Sequence, residues 1–306
     1  MSAIGIQALP SATTDAKRLA LRLGVKIHEI ALHRFPDGEF LVTVGPAAPT
    51  TIIYGSLDHP NDKLLAVLFA AEALRRGGAK RLVLLTPYLC YMRQDISFHK
   101  GEAISQKVVG ALLAGSLDRV ITVDAHLHRT TDIRNVFPGI ESENLSAMPA
   151  IAASLQTTGF DPNTVIVGPD AESKPWVSNL ADRLGLTYVV AQKIRCGDRS
   201  VEIVFANPAL LTNRSVVLVD DIVSSGGTLI ACAKSLKEAG ACAIDAVVTH
   251  ALFPENLTRD FTSAGIRSVR STHSVLHSTN AIILDELFTD ALRSEMIEAP
   301  LSEYHS

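Results

Sequence analysis

A single stretch in the C-terminal half, SVVLVDDIVSSGGTLI, places the strongest constraint on how this chain can fold. Its apolar residues Val216–Val219 are typical of a buried parallel strand, and two acids, Asp220 and Asp221, follow directly. The small residues Ser224–Thr228 form a loop, after which Leu229 begins an apolar pattern with helical spacing. A strand, a small-residue loop and a helix in this order direct several backbone N–H groups and a helix N-terminus at one place, which attracts a phosphate.

The side chains of the same stretch indicate what kind of phosphorylated molecule it binds. The loop glycines allow a close backbone approach, and the loop hydroxyl groups can donate hydrogen bonds to a phosphate. Asp220 and Asp221 can accept hydrogen bonds from neighbouring hydroxyl groups of a sugar, directly or through a divalent cation. These features predict a site for a phosphorylated sugar; the alternative is an acid-capped loop in front of an ordinary helix.

Composition argues against several other classes of protein. The 306 residues, 47% of them hydrophobic, are enough for two domains that each bury a core. A net charge of −4 without a basic tail argues against nucleic acid as a partner. The four cysteines form no CxxC pair, no signal peptide is recognisable, and the longest clean apolar run, Leu64–Ala71, is too short to span a bilayer. We therefore expect a cytoplasmic protein that does not interact with a membrane.

Strands and helices alternate along the chain, and their order occurs twice. This alternation predicts an α/β fold in which each sheet is mainly parallel and flanked by helices. RLALRLGVKI at Arg18–Ile27 resembles NLADRLGLTY at Asn179–Tyr188, and ALRRGGAK at Ala73–Lys80 resembles SLKEAGAC at Ser235–Cys242. The two matches lie at nearly the same separation, which indicates a tandem duplication of one domain. In the first copy, Thr51–Asp62 stands in place of the acid pair and the glycine loop, so we expect one composite site rather than two equal sites.

Further motifs follow or join the predicted strands. They are RFPDGEF at Arg34–Phe40, PYLCYMRQD at Pro87–Asp95, VDAHLH at Val123–His128, VIVGPD at Val165–Asp170 and QKIRCGDRSVEI at Gln192–Ile203. Taken singly, they are compatible with ordinary turns, surface ion pairs or a basic hairpin. Taken with the acid pair and the glycine loop, they resemble in order the motifs of the ribose-phosphate diphosphokinase family, also called 5-phosphoribosyl 1-diphosphate (PRPP) synthetases. Ser224 and the segment after Asp170 resemble the archaeal-like branch of that family.

The resemblance implies two tandem phosphoribosyltransferase-like domains and a C-terminal helix. Residues 1–145 would form the domain on the nucleotide side, and residues 146–285 the domain on the ribose 5-phosphate side. Residues 286–306 would form a helix that packs back on the first domain. The resemblance also implies a homo-oligomer, a dimer or larger, whose ATP site is shared between subunits.

Roles for individual residues follow from the same resemblance. On the nucleotide side it assigns ATP binding to Phe35, Asp37, Gly38, Glu39, Arg93, Gln94, Asp95 and His126. The first four belong to a loop that would reach the adenine of a neighbouring subunit. On the sugar side it assigns ribose 5-phosphate binding to Arg195, Asp220, Asp221, Ser224, Ser225, Gly226, Gly227 and Thr228. The catalytic cations would be Lys193 and Arg195, and Mg²⁺ would be held at His126 and Asp170.

The implied reaction transfers the diphosphoryl group of ATP to the anomeric hydroxyl of ribose 5-phosphate, which yields PRPP and AMP. The chain contains no Walker A pattern, GxxxxGK[ST], which argues against a P-loop kinase. Two alternatives remain open: a phosphoribosyltransferase that consumes PRPP, and a non-catalytic homologue that regulates a true synthetase. The altered segment after Asp170 argues against the phosphate or ADP regulatory site of common bacterial members.

Overall fold

The structure, a computed structural model, describes residues 3–127, 129–130, 132–195 and 201–297. The chain separates into two units, each with its own parallel sheet. Unit 1 comprises the chain up to Leu145 together with the segment that begins at Asp285, and unit 2 comprises Ser146–Leu284.

Unit 1 is built on a parallel sheet with helices packed against it. Its strands are β1 (Ile4–Ala8), β2 (Lys26–Glu29), β3 (Ala31–Arg34), β4 (Phe40–Thr43), β5 (Thr50–Tyr54), β6 (Arg81–Thr86), β7 (Arg119–Val123) and β8 (Glu141–Leu145). The connecting helices are α1 (Thr13–Leu23), α2 (Pro60–Arg76) and α3 (Ser105–Ala114). The sheet has the order β2-β1-β5-β6-β7-β8 with every pair parallel, and β3 and β4 form a separate antiparallel hairpin.

Unit 2 has the same kind of architecture. Its helices are α4 (Met148–Thr158), α5 (Lys174–Leu184), α6 (Gly227–Glu238) and α7 (Leu257–Ala264). Its strands are β9 (Val165–Gly168), β10 (Thr187–Val190), β11 (Gln192–Arg195), β12 (Val201–Val204), β13 (Ser215–Val223), β14 (Ala243–Ala251), β15 (Ile266–Thr272) and β16 (Asn280–Ile282). The sheet has the order β10-β9-β13-β14-β15-β16, all parallel, and β11 pairs with β12 in an antiparallel hairpin.

The strand order of the two sheets is identical, as a tandem duplication requires. In each unit the second sheet strand lies outside the first, the remaining strands follow on the other side, and an antiparallel hairpin precedes the third sheet strand. The predicted α/β fold class is therefore confirmed. In open sheets of this type, ligands collect beyond the carboxyl ends of the strands where the order reverses, here between β9 and β13 in unit 2 and between β1 and β5 in unit 1.

Local sequence determines several of the helix boundaries. α1 and α5 end at Gly24 and Gly185, both in the left-handed conformation at φ of 67° and 66°, which glycine adopts without steric cost. α1 starts at Thr13, because Pro10–Ala12 forms a separate 3₁₀ turn.

The C-terminal segment contains two short helices, α8 (Asp285–Ala291) and α9 (Arg293–Ile297), where the resemblance implied one helix within residues 286–306. Both belong to unit 1. The ring of Phe288 is fully buried and meets Tyr54 edge to face, with ring centroids 6.2 Å apart. Within the described part of the chain, none of the helices combines the length and apolar character that crossing a bilayer requires.

Candidate functional site

The acid pair lies inside a strand that is longer than predicted. β13 continues past the expected end at Val219 and reaches Val223, with Asp220 paired to Val248 of β14. On its other side, β13 pairs with β9 only as far as Leu218. Both acids therefore stand beyond the end of β9, at the point where the strand order reverses.

The glycine loop leads directly into α6, which begins at Gly227 and not at the predicted Leu229. Gly226 adopts a left-handed conformation with φ of +71°, and a Cβ atom there would lie 2.5 Å from Leu257 Cδ2. Only glycine satisfies both the backbone angle and the space. The N-cap residue Gly226 makes no side-chain cap at the start of α6, so this helix end can offer first-turn N–H groups to an anion.

The other loop residues are accessible to a ligand. Ser225 and Gly227 are exposed, and Ser224 and Thr228 are partly exposed. Their hydroxyl groups can donate to the same anion as the first-turn N–H groups. This arrangement suits a phosphate, whose oxygens accept several hydrogen bonds at once.

Negative charge is concentrated next to this loop. Asp221 is 4% exposed, and Asp220 is partly buried, with its carboxylate accepting the Asp221 N–H at 3.1 Å. Burial, and then the charges of Asp221 and Asp170, raise the pKa of the Asp220 carboxyl well above its ordinary value. Burial beside two other carboxylates therefore disfavours the ionised form of Asp220, and a cation or the hydroxyl donors of a sugar would favour it.

A lysine from the hairpin β11–β12 meets a third acid of this site. Asp170 follows β9 and accepts the N–H groups of Glu172 and Ser173 at 3.2 and 3.3 Å. The Lys193 ammonium donates to Asp170 Oδ2 at 2.6 Å. Arg195 ends β11, but its side chain lies outside the described part of the structure. Unit 2 thus brings one candidate catalytic cation to the acids.

Sequence analysis did not place a cysteine at this site, although α6 carries one. Cys232 is fully buried, and its surroundings include Asp220 and Asp170. Burial and these two negative charges raise the pKa of the thiol to about 12. The thiol is therefore protonated at neutral pH and does not act as a nucleophile. Its position on the helix that follows the glycine loop could have indicated this proximity.

The acids suit a hydrated, phosphate-bridged cation better than a closed metal site. Among the described residues, no group of three or more His, Cys, Asp or Glu side chains is arranged to hold a metal ion alone. Mg²⁺ commonly uses one or two protein carboxylates and completes its shell with water and substrate phosphates. The uncompensated charge around Asp220 fits this mode of binding.

The corresponding place in unit 1 is filled with apolar side chains. The alignment of Arg18–Ile27 with Asn179–Tyr188, extended towards the N-terminus, places Leu9 at the position of Asp170. The pairing of β1 with β5 and of β9 with β13 then places Tyr54 and Gly55 at the positions of the acid pair. Leu9 and Tyr54 are each 1% exposed. A Cβ atom on Gly55 would lie 2.5 Å from Leu9 Cδ1. Unit 1 has therefore lost the sugar-phosphate features that unit 2 retains.

The predicted adenine loop of unit 1 is the turn of the β3–β4 hairpin. Phe35 N–H donates to Glu39 O at 2.7 Å, and Asp37 Oδ1 accepts the Glu39 N–H at 3.1 Å. All four candidate residues, Gly38 included, are exposed. The motif RFPDGEF, which taken singly is compatible with an ordinary turn, did not indicate the flanking strands, because β3 is exposed throughout and shows no apolar alternation.

The other nucleotide candidates lie in two loops that follow neighbouring strands. The β6 loop comprises residues 87–104, and the β7 loop comprises residues 124–130, of which residue 128 lies outside the described chain. Arg93 is exposed, and Gln94 and His126 are partly exposed. Because β6 and β7 are adjacent and parallel, their loops leave the same edge of the sheet.

Asp95 differs from the other candidates in its surroundings. Its side chain is 1% exposed and forms an ion pair with Arg129 of the β7 loop. The carboxylate is thus directed into unit 1, where a ligand has little access to it.

The backbone of the β7 loop is unusual at its first residue. Asp124 has φ of +36°, a value that is rare for a residue with a side chain and is found mainly where the surrounding structure imposes it.

Comparison with known proteins gives matches to both halves. The model of the N-terminal domain of ribose phosphate pyrophosphokinase matches residues 4–116, and that of the phosphoribosyl transferase domain matches residues 143–270. The ribose-phosphate pyrophosphokinase of Methanopyrus kandleri is 32% identical over 263 residues, which are 85% of this chain and 88% of the relative. Ribose-phosphate pyrophosphokinase 2 of Archaeoglobus fulgidus is 32% identical over 281 residues, 92% and 97% of the two chains. The crystal structure of phosphoribosylpyrophosphate synthetase from Mycobacterium smegmatis has the same fold, with a TM-score of 0.83 and 22% identity over 96% of this chain and 99% of that one.

The duplicated sheets and the acid pair before a glycine loop define a protein of two phosphoribosyltransferase-like units. The chain belongs to the ribose-phosphate pyrophosphokinase family. The family predicted from the motifs is thereby confirmed, and the chain is an enzyme of the transferase class by that membership. The alternative of a PRPP-consuming phosphoribosyltransferase is not supported, because the N-terminal half matches a domain described for the pyrophosphokinase.

Proposed function

We propose that this chain transfers the diphosphoryl group of ATP to the anomeric hydroxyl of ribose 5-phosphate and releases AMP. The observation that carries the proposal is the convergence, in unit 2, of the acid pair, the glycine loop and the ion pair of Lys193 with Asp170. These groups match the three parts of the reacting sugar phosphate: its hydroxyls, its phosphate and the phosphoryl group that it receives.

Ribose 5-phosphate is held at both ends in this proposal. The first-turn N–H groups of α6 and the hydroxyls of Ser224, Ser225 and Thr228 bind its 5-phosphate. Asp220 and Asp221 accept hydrogen bonds from its 2- and 3-hydroxyls. Two fixed ends leave the anomeric hydroxyl as the free nucleophile, and such alignment removes much of the entropic cost of the reaction.

The transfer step forms one bond and breaks one bond. The anomeric oxygen attacks the β-phosphorus of ATP, the bond from that phosphorus to the oxygen bridging the α-phosphate breaks, and the hydroxyl proton passes to water. Lys193 and Arg195 stabilise the negative charge that develops on the transferring group. Lys193 is already poised next to the acids through Asp170, so a small movement of the hairpin β11–β12 suffices to redirect it.

Mg²⁺ is the metal that we propose for this reaction, at Asp170 and His126. When bound, it neutralises phosphate charge and polarises the β-phosphorus. Asp170 offers a carboxylate oxygen, and the raised pKa of Asp220 indicates a local excess of negative charge. His126 is an unusual direct ligand for Mg²⁺, and by the family motif alone we assign it to the Mg²⁺ that accompanies ATP, separate from the ion at Asp170.

We also propose a homo-oligomer in which Phe35, Asp37, Gly38 and Glu39 complete the ATP site of a neighbouring subunit. All four residues are exposed on a hairpin turn, and 41% of Phe35 is accessible. An aromatic ring at this exposure has apolar surface available for an adenine. Arg93, Gln94 and His126 would bind the rest of the nucleotide.

We place the protein in the cytoplasm. Cys90 and Cys232 are free and buried, and Cys242 is free and exposed. An exposed free thiol is typical of proteins in a reducing compartment.

The direct test of the reaction is the detection of AMP and PRPP from ATP and ribose 5-phosphate with Mg²⁺. AMP formation should require the sugar phosphate and should disappear in an Asp221→Ala variant that binds it weakly. Protein that forms no AMP but copurifies with and alters another synthetase would show a regulatory homologue instead. Repeating the assay with added phosphate and ADP shows whether either one regulates the enzyme.

A further inference from the structure

The β6 loop and the β7 loop of unit 1 are joined by contacts in which Asp95, a motif residue, and Gln106 pair with residues outside the motifs. The β6 loop carries Arg93 and Gln94, and the β7 loop carries His126. These are the candidate nucleotide-binding residues, so the relative position of the two loops determines the shape of the site.

The first link is made by Asp95 and Arg129. Arg129 donates twice to the buried Asp95 carboxylate, from Nη1 at 2.9 Å and from its backbone N–H at 3.1 Å. The guanidinium carbon also lies 5.6 Å from the ring centroid of Phe98 in the β6 loop, within the range of a cation–π contact. An ion pair with one partner excluded from water, in addition to a backbone hydrogen bond, is stronger than an ordinary surface pair.

The second link passes through Gln106, in the first turn of α3. This side chain is 4% exposed. Its Nε2 donates to Met92 O at 3.2 Å, its Oε1 accepts the Thr130 hydroxyl at 3.0 Å, and its backbone N–H donates to Gln94 O at 3.1 Å. One amide side chain therefore fixes the backbone of the β6 loop and a side chain of the β7 loop.

We infer that Asp95, Arg129 and Gln106 are positioning residues, which we call the loop clamp, for nucleotide binding. The clamp holds the two loops in one arrangement, so that the nucleotide residues on both are ordered before ATP binds. Asp95, predicted as an ATP contact, acts here through Arg129 and not on the ligand. The inference rests on the proposed function for its ligand, but the joining of the loops can be measured without one.

The joining of the loops is tested by amide hydrogen exchange of the intact protein. Arg129→Ala should increase exchange in residues 91–106, a segment distant from it in sequence. Thr130→Val, which removes only the hydroxyl donor to Gln106, should produce a smaller increase in the same segment. Arg134→Ala is the matched control, because the ion pair of this exposed arginine among the described residues is with the neighbouring Asp132. Unchanged exchange in residues 91–106 of both Arg129→Ala and Thr130→Val would overturn the inference.

The effect on the ligand is tested by measuring binding of Mg²⁺·ATP and of ribose 5-phosphate separately. Arg129→Ala and Thr130→Val should weaken ATP binding, by about tenfold for the arginine, and leave ribose 5-phosphate binding unchanged. Increased exchange without weaker ATP binding, or equal losses for both ligands, would contradict a positioning role. A wild-type protein that forms no AMP would instead refute the proposed function, while the exchange data would still decide whether the clamp joins the loops.

Discussion

At the residue scale, the folded protein disfavours the ionised form of the Asp220 carboxyl. Burial, Asp221 and Asp170 raise the pKa of Asp220, so its ionised form costs stability in the folded protein. The protonated form of Asp220 is favoured by folding. Its contribution to stability is fully present below the ordinary aspartate pKa, about 4, and is lost as pH rises through the raised pKa of the folded protein. Asp220→Asn should therefore increase the free energy of unfolding by about 1 kcal/mol at pH 7 and give no increase near pH 3.

Denaturation curves of wild type and variant at several pH values measure this difference. The matched control is Asp245→Asn on the adjacent strand β14, because Asp245 is paired with Arg267 and Ser268 and its loss should not stabilise the protein. Asp220→Asn should also weaken ribose 5-phosphate binding. A variant that is less stable than wild type at pH 7 would show that the acid pair is compensated in a way that the geometry does not indicate.

Lys193 allows a test of catalysis separate from binding. Lys193→Ala should lower kcat by at least about a hundredfold, because the cation is needed only as charge develops on the transferring group. The KM for ribose 5-phosphate should change little. Lys234→Ala, an exposed lysine farther along α6, is the control of equal charge. A kcat close to that of wild type would remove Lys193 from the catalytic groups.

The positions of candidate site residues were predictable where a motif is local, and their roles stay predictions. The acid pair, the glycine loop, Asp170 and Lys193 all lie in one unit, in contact or in electrostatic interaction. The environment of Asp95 was not predictable, because its partner Arg129 follows 34 residues later and nothing in either motif specifies that pairing. A sequence motif indicates which residue types are present, whereas burial decides whether a carboxylate faces a ligand or the protein.

At the element scale, the turn between β13 and α6 depends on one glycine. Gly226→Ala would place a Cβ 2.5 Å from Leu257 and 2.8 Å from Phe261 at a positive φ, which costs about 1–2 kcal/mol in backbone energy alone. We expect lower stability and a strongly raised KM for ribose 5-phosphate. Gly227→Ala has no such clash, since the nearest atom is 3.9 Å away, and should retain wild-type stability. Equal stability of the two variants would contradict the role of Gly226.

Element bounds were predicted well where periodicity is strong and poorly where tertiary pairing extends an element. The predicted strand residues Val216–Val219 lie within β13. β13 runs through two aspartates to Val223 because β14 offers a matching ladder along its full length, and isolated propensity disfavours aspartate in a strand. α6 starts early because Gly227 and Thr228 complete its first turn, although neither residue contributes to an apolar pattern.

At the scale of the whole molecule, the duplication explains why one chain carries two similar sheets with different sites. Both units keep the strand order, but Leu9 and Tyr54 fill the reversal point of unit 1, and the acids remain in unit 2. Candidate nucleotide residues in unit 1 lie on other loops of the same framework. The sequence repeat was sufficient to predict the architecture, because strand order follows from the common fold and not from the divergent loops.

The return of the chain to unit 1 after unit 2 depends on an ion network that can be tested. Glu295 of α9 is 2% exposed and accepts hydrogen bonds from Arg81 Nε at 2.7 Å and from Arg119 Nη1 at 2.9 Å. Burial alone would raise the pKa of Glu295, but the hydrogen bonds from both arginines outweigh it and lower that pKa. Glu295→Gln should destabilise unit 1 by about 3 kcal/mol, because it removes the buried charge that the two arginines share, although Arg81 keeps Glu141 and Arg119 keeps Glu143 as ion-pair partners.

Hydrogen exchange can locate this loss within the molecule. Exchange should increase in β6, β7 and the C-terminal helices of the variant, and should stay unchanged in β13 of unit 2, which the network does not contact. Because a lowered carboxyl pKa contributes stability above its ordinary value and loses it as pH falls, the difference from wild type should shrink below about pH 4. Glu286→Gln, an exposed residue of α8, should change neither. An equal increase of exchange in both units would mean that the C-terminal segment stabilises the whole chain and not unit 1 alone.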